Sequence, residues 1–338
     1  MAMLSRVTYS RVVAQLSRTF VISLRTLHGG DRKGCLRIRP TTADDYDGVV
    51  SIRDDINRGF DYIPGTYHEL LKYNTGYGGF IDSNLVAFLF GAVIDDGRTI
   101  AMQSGRVKRG YEGQGITSEM KEHCLMNLSK TATKSVIVIS SQNTYNCLIE
   151  KNVQLLCKME RLAFSASRQS LYGQCSTRGE TSCLKRADSD FMKNLFLDPK
   201  TTSVMFPGNR IVIRGTPYDL VTSNIDRIMC CSDQILVSRR RDTDGVNFMS
   251  ITSTWRCNTT TVLYINLFGE RADESIISQH VHMQIARILS SCEENIVLYV
   301  TSVMQHHLET IKRVLEKHSW IYLEGLTLFA IEKSFRNL

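Results

Sequence analysis

The chain has 338 residues and 43% hydrophobic content, the balance of a folded globular protein long enough for about two domains, each with its own core. Its formal charge of +7 lies wholly in the first 39 residues, which hold eight Lys or Arg and the single acid Asp31, while the remainder matches 33 basic with 33 acidic residues. That distribution excludes nucleic-acid binding by the folded part, the run VSRRR at 237–241 being only a local basic patch. Ten cysteines without a C-x-x-C pair give no sign of a zinc or dithiol site.

Residues 1–35 form a basic N-terminal extension with no acid before Asp31 and with Leu4, Val7, Val12, Leu16 and Phe20 at roughly helical spacing. Such a segment reads as a mitochondrial presequence or as a plain basic tail, so the expected location is the cytoplasm, with the mitochondrial matrix as the alternative. No apolar run approaches the roughly 18 residues of a membrane span, and no stable membrane insertion is expected.

The globular pattern begins at Leu36. "LRIRP" predicts a short strand closed by Pro40, and "TTADDYDGVVSIRDDIN" a helix capped by Thr41 or Thr42 with acids in its first turn. In "GFDYIPGTYHELLK" (59–72) Pro64 suits the first turn of a further helix. "GGFI", "LVAFLFGAVI" and "TIAMQSGRV" read as three meandering strands joined by the turn clusters "DSN" and "DDGR". A glycine loop, "RGYEGQGITSEM" (109–120), leads into a helix with Ile116, Met120, Cys124 and Leu128 on one stripe. Strand "SVIVIS", helix "NTYNCLIEKN" and strand "CKMERLAFS" complete a mixed α/β domain over 36–166.

Residues 167–200 read as a linker or long loop, and 201–338 as a second domain. There the order strand, helix, strand, helix, strand runs through "TVLYINLFG", "ESIISQHVHMQIARIL", "NIVLYVTS", "HHLETIKRVLEKH" and "WIYLEGLTLFAIEK". It repeats the order of 98–164 and implies a duplicated fold. Only Gly269 follows the first of these strands, so the copy is expected to lack a loop for anions. His280 with His282, and His306 with His307, have spacings that suit no metal site.

A helix N-terminus presents unpaired amides and a partial positive charge, and glycines let a phosphate approach them closely; Gly113 and Gly115 before Ile116 and Thr117 offer that arrangement. Glu112 places a negative charge beside it, which Lys108 or Arg109 would pair. On this loop, "EGQGIT", the chain resembles the GNAT acetyltransferases, whose R/Q-x-x-G-x-G/A motif follows the fourth strand. The stretch "GFDYIPGTYHELL" is more specifically similar to G-x-D-Y-L-P-x-x-Y-H-x-W-L of the histidine N-acetyltransferase family, with similarity over about 36–165 and loosely beyond.

The resemblance implies a tandem GNAT-like α/β architecture and transfer of an acetyl group from acetyl-CoA, as co-substrate, to the α-amine of a small, histidine-like amino acid. Arg106, Val107, Lys108, Gly113, Gln114, Gly115, Ile116, Thr117 and Asn143 would then contact CoA, while Asp61, Tyr62, Tyr67 and His68 would shape the acceptor pocket. Gln103 and Ser104 occupy the catalytic stretch of the fourth strand, Gln103 standing where the family usually has a carboxylate. Asn152 stands where many members carry a tyrosine proton donor. These departures leave open an alternative, a catalytically weakened GNAT-like protein that binds an acyl-CoA or a partner without transfer.

Overall fold

In a computed structural model, which describes residues 34–149, 153–172, 184–239, 245–269, 272–289, 291–292 and 295–335, the meander read from the sequence starts a mixed sheet. The first half runs β1 (Arg37–Pro40), α1 (Tyr46–Val50), α2 (Ile63–Leu70), β2 (Thr75–Ile81), β3 (Asn84–Ile94), β4 (Thr99–Val107), α3 (Ile116–Leu128), β5 (Lys134–Ile139), α4 (Gln142–Ile149) and β6 (Gln154–Ser167). There follow α5 (Arg168–Tyr172), β7 (Leu184–Arg186), α6 (Ser189–Phe196), α7 (Pro199–Met205), β8 (Arg210–Ile213), β9 (Thr216–Asp219), α8 (Ile225–Cys230), β10 (Gln234–Arg239), β11 (Val246–Cys257), β12 (Thr260–Gly269), α9 (Glu274–Leu289), β13 (Asn295–Ser302), α10 (Gln305–Glu316) and β14 (Ile321–Ser334). The basic extension up to residue 33 lies outside the described residues.

The local chemistry explains most of these elements. Asp82 and Ser83 both take left-handed backbone (φ 48° and 66°), and this two-residue turn pairs Ile81 with Asn84. β3 reads as a continuous apolar run because both its faces are covered: Val86 to Phe90 are all buried. Its glycine is a packing device, since a Cβ at Gly91 would meet the Cys124 sulfur of α3 at 2.4 Å.

Two expectations need correction. The helix expected over 41–57 is interrupted: α1 is flanked by 3-10 turns at Ala43–Asp45 and Ile56–Gly59, and Asn57 and Arg58 break the helical run with φ of 49° and 60°. The segment expected as a linker holds ordered structure from residue 184: β7 pairs with β10, and α6 buries Met192, Leu195 and Phe196 behind an Asp188 cap that accepts from the Phe191 amide at 2.8 Å. Its scattered charges mask an amphipathic helix shorter than three turns.

The twelve-stranded sheet has the order β1-β2-β3-β4-β5-β14-β6-β13-β12-β11-β10-β7. The halves exchange their last strands. β14 enters the first half between β5 and β6, pairing Phe329–Ser334 with Ile139–Lys134, while β6 runs beside β13 in the second half. A cut near residue 166 therefore divides one sheet into two incomplete ones.

The β8–β9 hairpin is anchored across this junction by buried charge. Arg210 is paired with Asp219 and, at 2.8 Å, with Glu332 of β14, and Lys134 of β5 reaches Asp219 at 3.2 Å and Glu332 at 3.1 Å. The hairpin's tip, Arg214–Gly215, has φ of 49° and 75° and points toward the first half. Among the described residues no helix is long and apolar enough to cross a membrane.

Candidate active site

A notch opens where two parallel strands part. β4 and β5 pair only from Thr99↔Lys134 to Met102↔Ile137. Beyond Met102, β4 continues along β3 through a bulge in which Ser104 and Gly105 together oppose Leu89, with Ser104 at φ 61°. Among the described residues the second half has no counterpart: β12 and β13 stay paired through eight residues, to Leu267↔Ser302, and β11–β12 runs without a register shift. β12 and β13 thus leave no notch like the one between β4 and β5.

The glycine loop borders this notch. Gly110, Gly113 and Gly115 adopt φ of 85°, 75° and 74°, and a Cβ placed on Gly110 or Gly113 would find no atom within 4 Å. Gly115 caps α3, whose first amides have no acceptor within the helix. The Gln114 side chain donates to the Gly110 carbonyl at 3.1 Å and braces the loop. The cleft so formed has a volume of about 470 Å³ and is lined by Arg106, Val107, Gly113, Gly115, Ile116 and Thr117 together with Arg53 and Glu112.

The charge of Glu112 is met from an unexpected direction. Its partner is Arg53, not Lys108 or Arg109. Arg53 also makes a two-pronged pair with Asp55 at 2.7 Å for each prong, and Arg109 joins Asp55 at 2.9 Å. Hydrogen bonds from Arg53 and then Arg109 hold the Asp55 carboxyl well below the usual range. The loop's acid thus belongs to a compensated surface network, leaving the helix amides free to attract an anion.

A second cavity of about 410 Å³ adjoins the cleft, sharing Ile56, Gly105, Arg106 and Thr117. Rings of Tyr62, Trp255, Tyr264 and Tyr299 line it, as do Gln103, Ser104, Lys121, Arg161 and Arg214; among the described residues no Asp, Glu or His does. Tyr62 is hydrogen-bonded to Ser104 at the bulge, and burial raises the Tyr62 pKa, so its hydroxyl keeps its proton at neutral pH. Burial lowers the Lys121 pKa. Gln103 accepts from Thr216 of β9 at 3.2 Å, which ties the hairpin to β4.

Of the four residues expected to shape the acceptor pocket, Tyr62 alone lines this cavity. Asp61 is committed to Arg106, with contacts of 2.6 and 3.3 Å and side chains only 7% and 2% exposed, so neither an ammonium nor an imidazole has access to it. Arg106 lines both the cleft and the adjoining cavity, and its guanidinium is held by this carboxylate. Tyr67 is fully buried among Phe88 and Phe90 and donates to the Thr42 carbonyl at 2.8 Å, a core role. His68 lies at the surface against Tyr46. Asn143 is exposed on α4, where Ser141 and Thr144 face the cavity instead, Lys108 is exposed outside both cavities, and Asn152 lies outside the described residues.

The "GFDYIPG" stretch is instead a joint between the halves. Trp255 donates its indole N–H to the Phe60 carbonyl at 3.3 Å, the Cys257 thiol donates to the Asp61 carbonyl at 3.0 Å, and a Cβ on Gly65 would meet the Arg256 carbonyl at 2.8 Å. Sequence reading missed Arg53, Arg161, Arg214 and the three second-half rings. The Arg-Gly turn between "IVI" and "TPYD" is a hairpin signal, but what its tip reaches depends on the strand exchange.

The family described as histidine N-acetyltransferase, C-terminal, matches residues 180–306, the part that supplies Arg214, Trp255, Tyr264 and Tyr299 to the cavity. A histidine N-acetyltransferase of Oreochromis niloticus is 23% identical over 207 residues, which cover 56% of this chain and 61% of that protein, somewhat under two thirds of its length. A tandem GNAT protein from the clavulanic acid biosynthesis pathway superposes with a TM-score of 0.55 at 9% identity, covering 88% of this chain and 98% of its own. A GCN5-related N-acetyltransferase from Sphaerobacter thermophilus superposes with a TM-score of 0.51 at 9% identity, covering 91% and 98%. The chain has the tandem GNAT fold and is similar in sequence to histidine N-acetyltransferases.

Proposed function

We propose that the protein is an acetyl-CoA-dependent N-acetyltransferase acting on the α-amine of a small amino acid, the amine attacking the thioester directly. One observation carries this reading: the cleft under the glycine loop continues, past the Ser104–Gly105 bulge, into a ring-lined cavity, so a donor and an acceptor can meet at the bulge. The residues present suit acetyl-CoA as donor substrate. Gly113, Gly115, Ile116 and Thr117 would hold its diphosphate on helix amides, with Val107 beside it.

Among the described residues that line the cavity no side chain is a carboxylate or an imidazole, and the Gln103 amide takes up no proton at neutral pH. With no carboxylate or imidazole base among them, the acceptor amine passes its proton to water. The bulge supplies backbone polarity for the oxygen that gains charge, and the protonated Tyr62 hydroxyl stands next to it as a donor.

The test is release of free thiol from acetyl-CoA by the full chain over a panel of free amino acids. Turnover of at least one α-amine, lowered about a hundredfold in kcat by Tyr62→Phe, is the expected result, in line with the contribution of one positioned proton donor. Acetyl-CoA binding without thiol release on any acceptor supports the weakened, non-transferring protein instead.

A further inference from the structure

Two guanidiniums in the acceptor cavity have unmet hydrogen-bonding capacity. Arg161, on β6, is 8% exposed; its Nε is buried without a partner, and its Nη1 and Nη2 reach only the Asn57 side-chain oxygen, each at 3.4 Å. Its guanidinium carbon lies 4.5 Å from the centroid of the Tyr299 ring. Arg214, at the hairpin tip, has a side chain 10% exposed, one nitrogen 3.7 Å from the half-exposed Glu69 carboxylate, and a buried Nη2 with no partner. Arg106, the third guanidinium there, is already satisfied by Asp61.

Buried donors left unpaired are costly, and native structures rarely keep two of them in one cavity unless something else completes them. A guanidinium fork matches a carboxylate in plane and spacing, and among the described residues this cavity has no carboxylate of its own. We infer that Arg161 and Arg214 together clamp the carboxylate of the acceptor, one cation from each half of the chain, while the rings of Tyr62, Trp255, Tyr264 and Tyr299 receive its side chain. This rests on the transferase reading and narrows it. The acceptor is a free amino acid, not a peptide N-terminus, and its side chain is not a cation, because among the described residues the lining holds no acid to neutralise one. The second half, closed to CoA, thus serves as the selector.

The experiment compares each free amino acid with its C-terminal amide, using the full-length wild type, Arg161→Gln and Arg214→Gln. The wild type is expected to favour the acid over the amide by about tenfold or more, mainly through KM, the scale of one charge-assisted contact. Either variant should raise KM for the acid by a similar factor and shrink the acid–amide difference, with Arg214→Lys recovering part of it. Acetyl-CoA affinity, measured by titration calorimetry, should stay unchanged in all of them, which separates a lost clamp from a collapsed fold. Indifference of the wild type to amidation, or a preference that survives both variants, overturns the clamp while leaving the transferase intact. If no acceptor is turned over, the same acids and amides are titrated into the protein holding CoA: acid-selective binding lost in the variants upholds the clamp, and no binding overturns it. Failure of the wild type to bind acetyl-CoA overturns both readings.

Discussion

Asp61→Leu is expected to lower the unfolding free energy by about 3–5 kcal/mol, read as a shift in the denaturant midpoint, because it strands the buried Arg106 guanidinium. Among the described residues Arg106 has no other carboxylate in contact, and its side chain is 2% exposed. The double variant Asp61→Leu with Arg106→Met should regain most of the loss, since a buried ion pair contributes little beyond what matched apolar groups provide, whereas half a pair is destabilising. If Asp61 were instead an exposed acceptor ligand, the single variant would be nearly neutral in stability and would act on KM alone. Equal stability of wild type and Asp61→Leu contradicts the assignment.

The largest effect is expected from removing β14. A chain ending at residue 319 loses the strand that pairs with both β5 and β6, exposes two unpaired edges at the centre of the sheet, and strips away Phe329, Ala330 and Ile331, all nearly fully buried. It also removes Glu332, leaving Arg210 and Lys134 short of one of their counter-charges. Such a chain, and likewise the fragment 36–166, is predicted to be insoluble or to lack dispersed amide resonances. A soluble, folded 36–166 that binds acetyl-CoA would show that the first half is self-sufficient.

Much of this was legible in the sequence because it is local. The "DSN" turn, the apolar run of β3 and the glycine loop each depend on residues a few positions apart, and the loop's three positive φ values fall on its three glycines. The repeated order of 260–334 likewise announced a second unit. The rest of the site was less legible because it is assembled from residues far apart in the chain: Asp61 finds Arg106 45 positions away, Glu112 finds Arg53 59 positions away, and the Trp255 indole reaches Phe60 over 195. In the "GFDYIPGTYHELL" stretch the same aromatics that suggested a ligand pocket serve mainly as packing, Tyr67 against Phe88 and Phe90, with Tyr62 alone turned into the cavity. Residue type indicated importance there, and only the fold distinguished a joint from a pocket wall.

Calorimetric titration of acetyl-CoA into the full chain, beside Gly113→Val, bears most directly on the idea that amides of one glycine-flanked helix hold the donor's diphosphate. A valine there would fill the open space over the loop and oppose its left-handed backbone, φ 75°. The account predicts one acetyl-CoA per chain for the wild type, in keeping with a single parted strand pair, and an affinity at least about tenfold weaker for the variant, the minimum expected when close backbone approach is blocked. Two molecules per chain, or unaltered affinity with valine in place, would contradict it.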